Sequence, residues 1–289
     1  MPAPAAAAER RLALILHADD PFRAIHNALV DVDVDWSGLT PDSVPEPLLE
    51  MTRTIWLHRV QTEFRSIQVM TRFLQEVLGA GDPMEVYAGA ADAVVDEIRH
   101  TALCVGVVEA LGVAPTFPDP VFEPENPQFL ALPMVQRALG TAVSMLAISE
   151  TLSVALLEDL RARATHPTIK AVLDATLADE DTHQDFGWSY VAASLQRCDE
   201  AGLEFARLVA ATTLEPYVAQ TQAILADIPM HRRHLEAWPE PDLAALGMMG
   251  SEREALVTLN ALTHTLRPKL RELGLAADFM PEPAIKVLS

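Results

Sequence analysis

Asp96-Glu97-Ile98-Arg99-His100 and Asp179-Glu180-Asp181-Thr182-His183 write one phrase twice along the chain. In each copy a glutamate and a histidine stand three residues apart within a run of helical periodicity, so both project from one helix face about one turn from each other. Each copy thus offers two side chains to a single point. Two further glutamates, Glu63 and Glu150, lie inside apolar helical stretches, each one helix ahead of a copy. Glu63 precedes Glu97 by nearly as many residues as Glu150 precedes Glu180, a separation that suits residues facing each other across an antiparallel helix pair.

A lone Glu-x-x-His in a helical protein reads more readily as a solvated pair on a polar face than as a metal site. Two copies with apolar neighbours, each preceded by its own glutamate, read instead as four carboxylates and two imidazoles from four helices, the donor set of a carboxylate-bridged dinuclear metal site. Burying four acids without cations would be very costly, so their place in apolar helices is itself an argument for metal. Mixed oxygen and nitrogen donors suit iron or manganese, whereas structural zinc prefers thiolates. The expected ligands are Glu63, Glu97, His100, Glu150, Glu180 and His183, holding two iron ions, with two manganese ions or a mixed pair left open.

This ligand order resembles the ferritin-like di-iron carboxylate superfamily, which includes ferritins, rubrerythrins, bacterial multicomponent monooxygenases, aldehyde-deformylating oxygenases and p-aminobenzoate N-oxygenases. The resemblance covers about residues 48 to 195, with ligand spacing nearest the p-aminobenzoate N-oxygenases. It implies that Glu97 and Glu180 bridge the metals or lie between them, that Glu63 and Glu150 are the outer carboxylates, and that His100 and His183 bind one metal each. It further implies that Asp96 orients His183 and Asp179 orients His100, each aspartate fixing the ring tautomer of the opposite copy.

Departures from particular members narrow the expectation. Cys104 stands where ribonucleotide reductase small subunits carry a radical tyrosine, which speaks against a radical-generating subunit. Val154, beside Ser153, stands where the multicomponent monooxygenases carry a threonine. Thr176 replaces the additional histidine ligand of the p-aminobenzoate N-oxygenases, leaving six ligands and making arylamine N-oxygenation one option among several. Residues 199–289 exceed what a storage ferritin needs.

Composition bounds the rest. With 41 acidic residues against 21 basic ones the net charge is −20, which repels nucleic acid and counts against a membrane surface. No uninterrupted apolar run reaches the length of a bilayer span, and the Ala- and Pro-rich start lacks the order of a secretory signal, so a cytoplasmic protein is expected. Cys104 and Cys198 are the only cysteines and neither has a companion at metal-binding spacing. Without an iron–sulfur or dinucleotide motif, electrons must come from an external donor, a reductase or ferredoxin.

The expected architecture is all-α: an arm over 1–46, a ferritin-like four-helix bundle over 47–198 with a long crossover between helices 2 and 3, and extra C-terminal helices over 199–289 packed on the bundle. Asp82-Pro83-Met84-Glu85 reads as an N-cap with a capping box, and Ser251 to Glu254 as another. Five prolines between 113 and 128 mark the crossover, Pro216 predicts a bend or break in a fifth helix, and 229–246 reads as irregular. His231 and His234 read as a solvated patch, and Trp56 as core.

The function expected is a non-haem di-iron oxygenase or oxidase that uses O2 to oxidise a small organic substrate by hydroxylation, desaturation or N-oxygenation. Cys104, Met145, Ser153, Val154 and Thr176 are candidate pocket residues because each lies about one turn from a ligand. The alternative is a ferroxidase, iron-handling or peroxide-scavenging protein. A homodimer packed through the first two bundle helices is common among the proteins it resembles.

Overall fold

The computed structural model describes residues 21–30, 32–226 and 238–275, and among them every regular element is a helix. Helix α1 (Pro21–Val30) leads through a short 3-10 turn at Pro41–Ser43 into α2 (Glu46–Ala80). A tight turn separates α2 from α3 (Met84–Ala110), and a crossover carrying the one-turn α4 (Pro127–Leu130) reaches α5 (Met134–Arg163). Then come α6 (Pro167–Leu195), α7 (Glu200–Ala226), the short α8 (Glu240–Ala245) and α9. This last helix begins at Ser251–Ala261, widens into a π turn at Leu262–Leu266 and ends in Arg267–Glu272.

Two apolar clusters hold these helices together. One gathers Met70, Phe73 and Val77 of α2, Ala90 and Ala93 of α3, the 138–148 stretch of α5, and Trp188, Tyr190 and Val191 of α6, with α7 and α9 packed against them. The other gathers Trp56 and Val60 of α2, residues 103–111 of α3, Leu160 of α5, and Ile169, Val172 and Leu173 of α6, with Leu243 to Met248 beside them. On α2, α3 and α6 the acidic or histidine positions fall between the stretches assigned to the two clusters, and on α5 Glu150 stands near the end of the first cluster's stretch, which continues to Leu152. The same assignment gives direction: α2 runs from the second cluster to the first, α3 back again, α5 in the sense of α3, and α6 in the sense of α2. Because α3 and α5 run alike, the chain between them must return along the full length of the helices, and the proline-rich crossover does so. Arg65 and Gln68 of α2 hold it by donating to the carbonyls of Pro120 (2.8 Å) and Glu123 (2.7 Å).

Several local expectations need correction. The side chain of Asp82 does not cap α3, whose N-cap is Pro83 without a side-chain bond. Instead Asp82 is buried and accepts from Tyr190 Oη at 2.7 Å and Arg197 at 3.1 Å, a tertiary use that outcompetes the local one. Gly250 rather than Ser251 is the N-cap of α9. Pro216 does not break α7, where the flanking Leu214 and Val218 are both buried and hold the helix together around the missing hydrogen bond. Residues 240–245 are helical rather than irregular. Helix α5 is long and apolar enough to cross a membrane by length and composition, but 67% of its apolar window is buried inside the fold, as in a core helix. His231 and His234 lie outside the described residues, as do 1–20 of the arm and 276–289 of the C-terminal region.

Helix α5 also contains a feature that periodicity does not announce. Residues Ala142–Ser149 form a π-helical segment that ends at Glu150. Ser149 Oγ donates to the Ser144 carbonyl at 2.9 Å, satisfying an acceptor within the widened turns. Gly187 of α6 faces this bulge, and a Cβ added there would overlap the Leu146 carbonyl and stand 2.6 Å from the Leu146 side chain. The absence of a side chain at 187 is what lets α6 approach the bulge.

Candidate metal centre

Six side chains from four helices meet in the layer between the two apolar clusters. Glu63 comes from α2, Glu97 and His100 from α3, Glu150 from the end of the π segment, and Glu180 and His183 from α6. Ligand-type atoms of Glu63, His100 and Glu180 lie within 4.8 Å of one another, and so do those of Glu97, Glu150 and His183. His100 Nδ1 stands 3.9 Å from Glu63, 3.7 Å from Glu97 and 3.6 Å from Glu180. His183 Nδ1 stands 3.9 Å from Glu97 and 3.5 Å from Glu180. Glu97 and Glu180 therefore face both imidazoles, while Glu63 and Glu150 each complete one of the two groups.

The other face of each ring is engaged. His183 Nε2 lies 3.1 Å from Asp96, and His100 Nε2 lies 3.3 Å from Asp179. Each pair crosses from one copy of the repeated phrase to the other. With Nε2–H donated to a carboxylate, the neutral tautomer leaves the Nδ1 lone pair directed into the cluster. Arg99 binds both aspartates, Asp179 at 2.7 Å and Asp96 through a short ion pair, and its Nη2 donates to the Leu29 carbonyl of α1 at 3.2 Å. Neither Arg99 nor the π segment was marked by the ligand spacing, although Arg99 stands inside the repeated phrase.

Burial turns this geometry into an electrostatic demand. His100 is 0% exposed, Glu97 1%, His183 2% and Glu180 3%. His100 Nδ1, His183 Nδ1, Glu97 Oε2 and Glu180 Oε2 are buried without a hydrogen-bond partner. In the absence of metal, burial and the neighbouring Glu97 and Glu180 push Glu63 up to about 8. Burial, with Glu180 and Glu97 beside it, holds Glu150 well above the usual carboxylate range. Burial disfavours the charged ring of His183, but Asp96 and Glu180 outweigh it and raise the group to about 9. Four buried donor atoms without hydrogen-bond partners, set among carboxylates that burial pushes toward the protonated form, suit divalent cations. The residues present fit two metal ions.

The candidate pocket residues fall on both sides of this layer. Cys104 (5% exposed), Val154 (5%) and Thr176 (5%) are buried, while Ser153 and Met145 are partly exposed. Cys104 belongs to the second apolar cluster and Met145 packs against the first. Thr176 Oγ1 donates to the Val172 carbonyl at 3.1 Å. The molecule is thus an all-helical protein with a buried carboxylate–histidine cluster compatible with a dinuclear iron site. No protein-family model, curated protein or solved structure matches the chain.

Proposed function

We propose that the protein is a ferritin-like di-iron oxygenase or oxidase acting on a small organic substrate. The observation that carries this reading is the convergence of six donors from four helices with four of their atoms buried and unpartnered. When bound, two iron ions would supply the electrons needed to activate dioxygen. Glu97 and Glu180 would hold the space between the ions, Glu63 and His100 one end, Glu150 and His183 the other. Asp96 and Asp179 hold the Nε2 protons and keep both rings in register. The apolar clusters on either side exclude water and so protect reactive species from quenching.

The two cysteines stand apart, Cys104 buried in one cluster and Cys198 packed against the other, and neither forms an electron-carrying pair. An external reductase or ferredoxin fits that arrangement, and the net charge of −20 fits a partner with a basic face. A cytoplasmic setting and a homodimer complete the proposal. The test is anaerobic loading with Fe(II) followed by oxygen. A single oxidation per site, with no further consumption of excess Fe(II), is the expected result. Repeated turnover of Fe(II) with growth of a ferric mineral would replace this reading with an iron-handling one.

A further inference from the structure

Arg99 touches both aspartates behind the histidines, and it does so through a single nitrogen. Nη1 donates to Asp179 Oδ2 at 2.7 Å and pairs at short range with Asp96 Oδ1. Two bonds converging on one atom leave the plane of the guanidinium free to swing about it. Nη2 removes that freedom by donating to the Leu29 carbonyl of α1 at 3.2 Å. The backbone of α1 thus sets the attitude of a group that works on the metal centre beneath it.

The two aspartates depend on Arg99 unequally. Asp96 meets Arg99 with Oδ1 and His183 with Oδ2, and its side chain is 8% exposed. Asp179 meets both Arg99 and His100 with the same Oδ2, and its side chain is 21% exposed. A shift of the guanidinium therefore pulls on the atom that holds His100, whereas His183 is held by an oxygen that Arg99 does not use.

Helix α1 is lightly held. Among its described side chains Val30 is buried, while Ile25 and Leu29 stand 59% and 54% exposed. Firm attachment comes after it: Val34 and Leu39 enter the second cluster, the Trp36 ring lies against Gly106 of α3, and Thr168 of α6 donates to the Asp35 carbonyl at 2.9 Å. An element with so few buried contacts can shift while the bundle stays folded.

We propose that α1 is a positioning element for the metal centre. Through the Leu29 carbonyl and Arg99 it sets the affinity of the ion held by His100, and has little effect on the ion held by His183. The inference rests on metal binding at the cluster and not on any oxidation carried out there.

The experiment titrates the full chain with Zn(II), a diamagnetic probe, in competition with a chelator of known affinity, while the histidine ring signals followed by NMR assign each ion. Val30→Asp, which places a charge beneath α1 and touches no ligand, should weaken the ion at His100 about tenfold or more and leave the ion at His183 within about threefold of wild type. Adding Val30→Asp to Arg99→Gln should cost nothing beyond Arg99→Gln alone, because both act along one path. By reciprocity, Zn(II) should slow hydrogen exchange in wild-type α1 by a similar factor. Should Val30→Asp lose its helical circular dichroism, Val30→Ala should show the same order of effects on a smaller scale. Equal losses at the two ions, no loss in either variant, or losses that add in the double variant would overturn the proposal while leaving the metal reading in place. A wild-type chain that takes up neither Zn(II) nor Fe(II) would overturn the metal reading, and this inference with it.

Discussion

Arg99 donates to Asp96 and to Asp179, and each aspartate holds the histidine of the other copy, so one guanidinium governs the orientation of both imidazoles. Asp179→Asn should therefore lower metal affinity about 10- to 100-fold, as should Asp96→Asn, measured by competition with a chelator of known affinity. Unchanged affinity in both variants would mean that ring orientation is set elsewhere. The six side chains that converge were legible because their chemistry and helical spacing are unusual in apolar surroundings. Arg99 was not, because an arginine three residues after an aspartate on a helix is an ordinary surface pair, and only the fold brings the second aspartate to it.

The four long helices were legible from their apolar periodicity and their proline and glycine boundaries, and the structure places their ends within a few residues of those signals. The π segment at Ala142–Ser149 was not, since a change of hydrogen-bond register leaves no trace in composition when every neighbour is small or apolar. Its counterpart is Gly187, one turn after His183. Gly187→Ala would drive a methyl group into the Leu146 backbone, which cannot yield as a flexible side chain would. Urea unfolding should show a loss of about 1–3 kcal/mol, and any relaxation that separates α5 from α6 should also weaken metal binding through Glu150. Full stability in that variant would show that the bulge and α6 are not in close contact.

At the scale of the molecule, a layer of carboxylates and imidazoles is flanked by two apolar clusters, and the C-terminal helices are tied onto this frame. One such tie is Asp159 of α5, which accepts from Arg253 of α9 and from Arg163. Burial pushes this carboxyl up, but the two guanidinium groups outweigh it and hold it below its ordinary value. A depressed folded-state value means stability that is present above the unfolded value and lost as pH falls through the folded one. Asp159→Asn should thus cost about 1–2 kcal/mol near neutral pH, and the gap from wild type should close as urea unfolding is repeated toward about pH 3. A gap independent of pH would assign the loss to packing. The apolar periodicity around each glutamate and histidine was readable in the sequence, whereas the particular contacts of α7 and α9 were not, because they join residues far apart in the chain. The central claim is tested most directly by elemental analysis of protein loaded with Fe(II) without oxygen and freed of excess metal. About two iron ions per chain are expected in the wild type, and well under one in a Glu97→Ala, Glu180→Ala double variant that retains its helical circular dichroism. A wild-type chain without stoichiometric metal, or a double variant that keeps both ions, would contradict it.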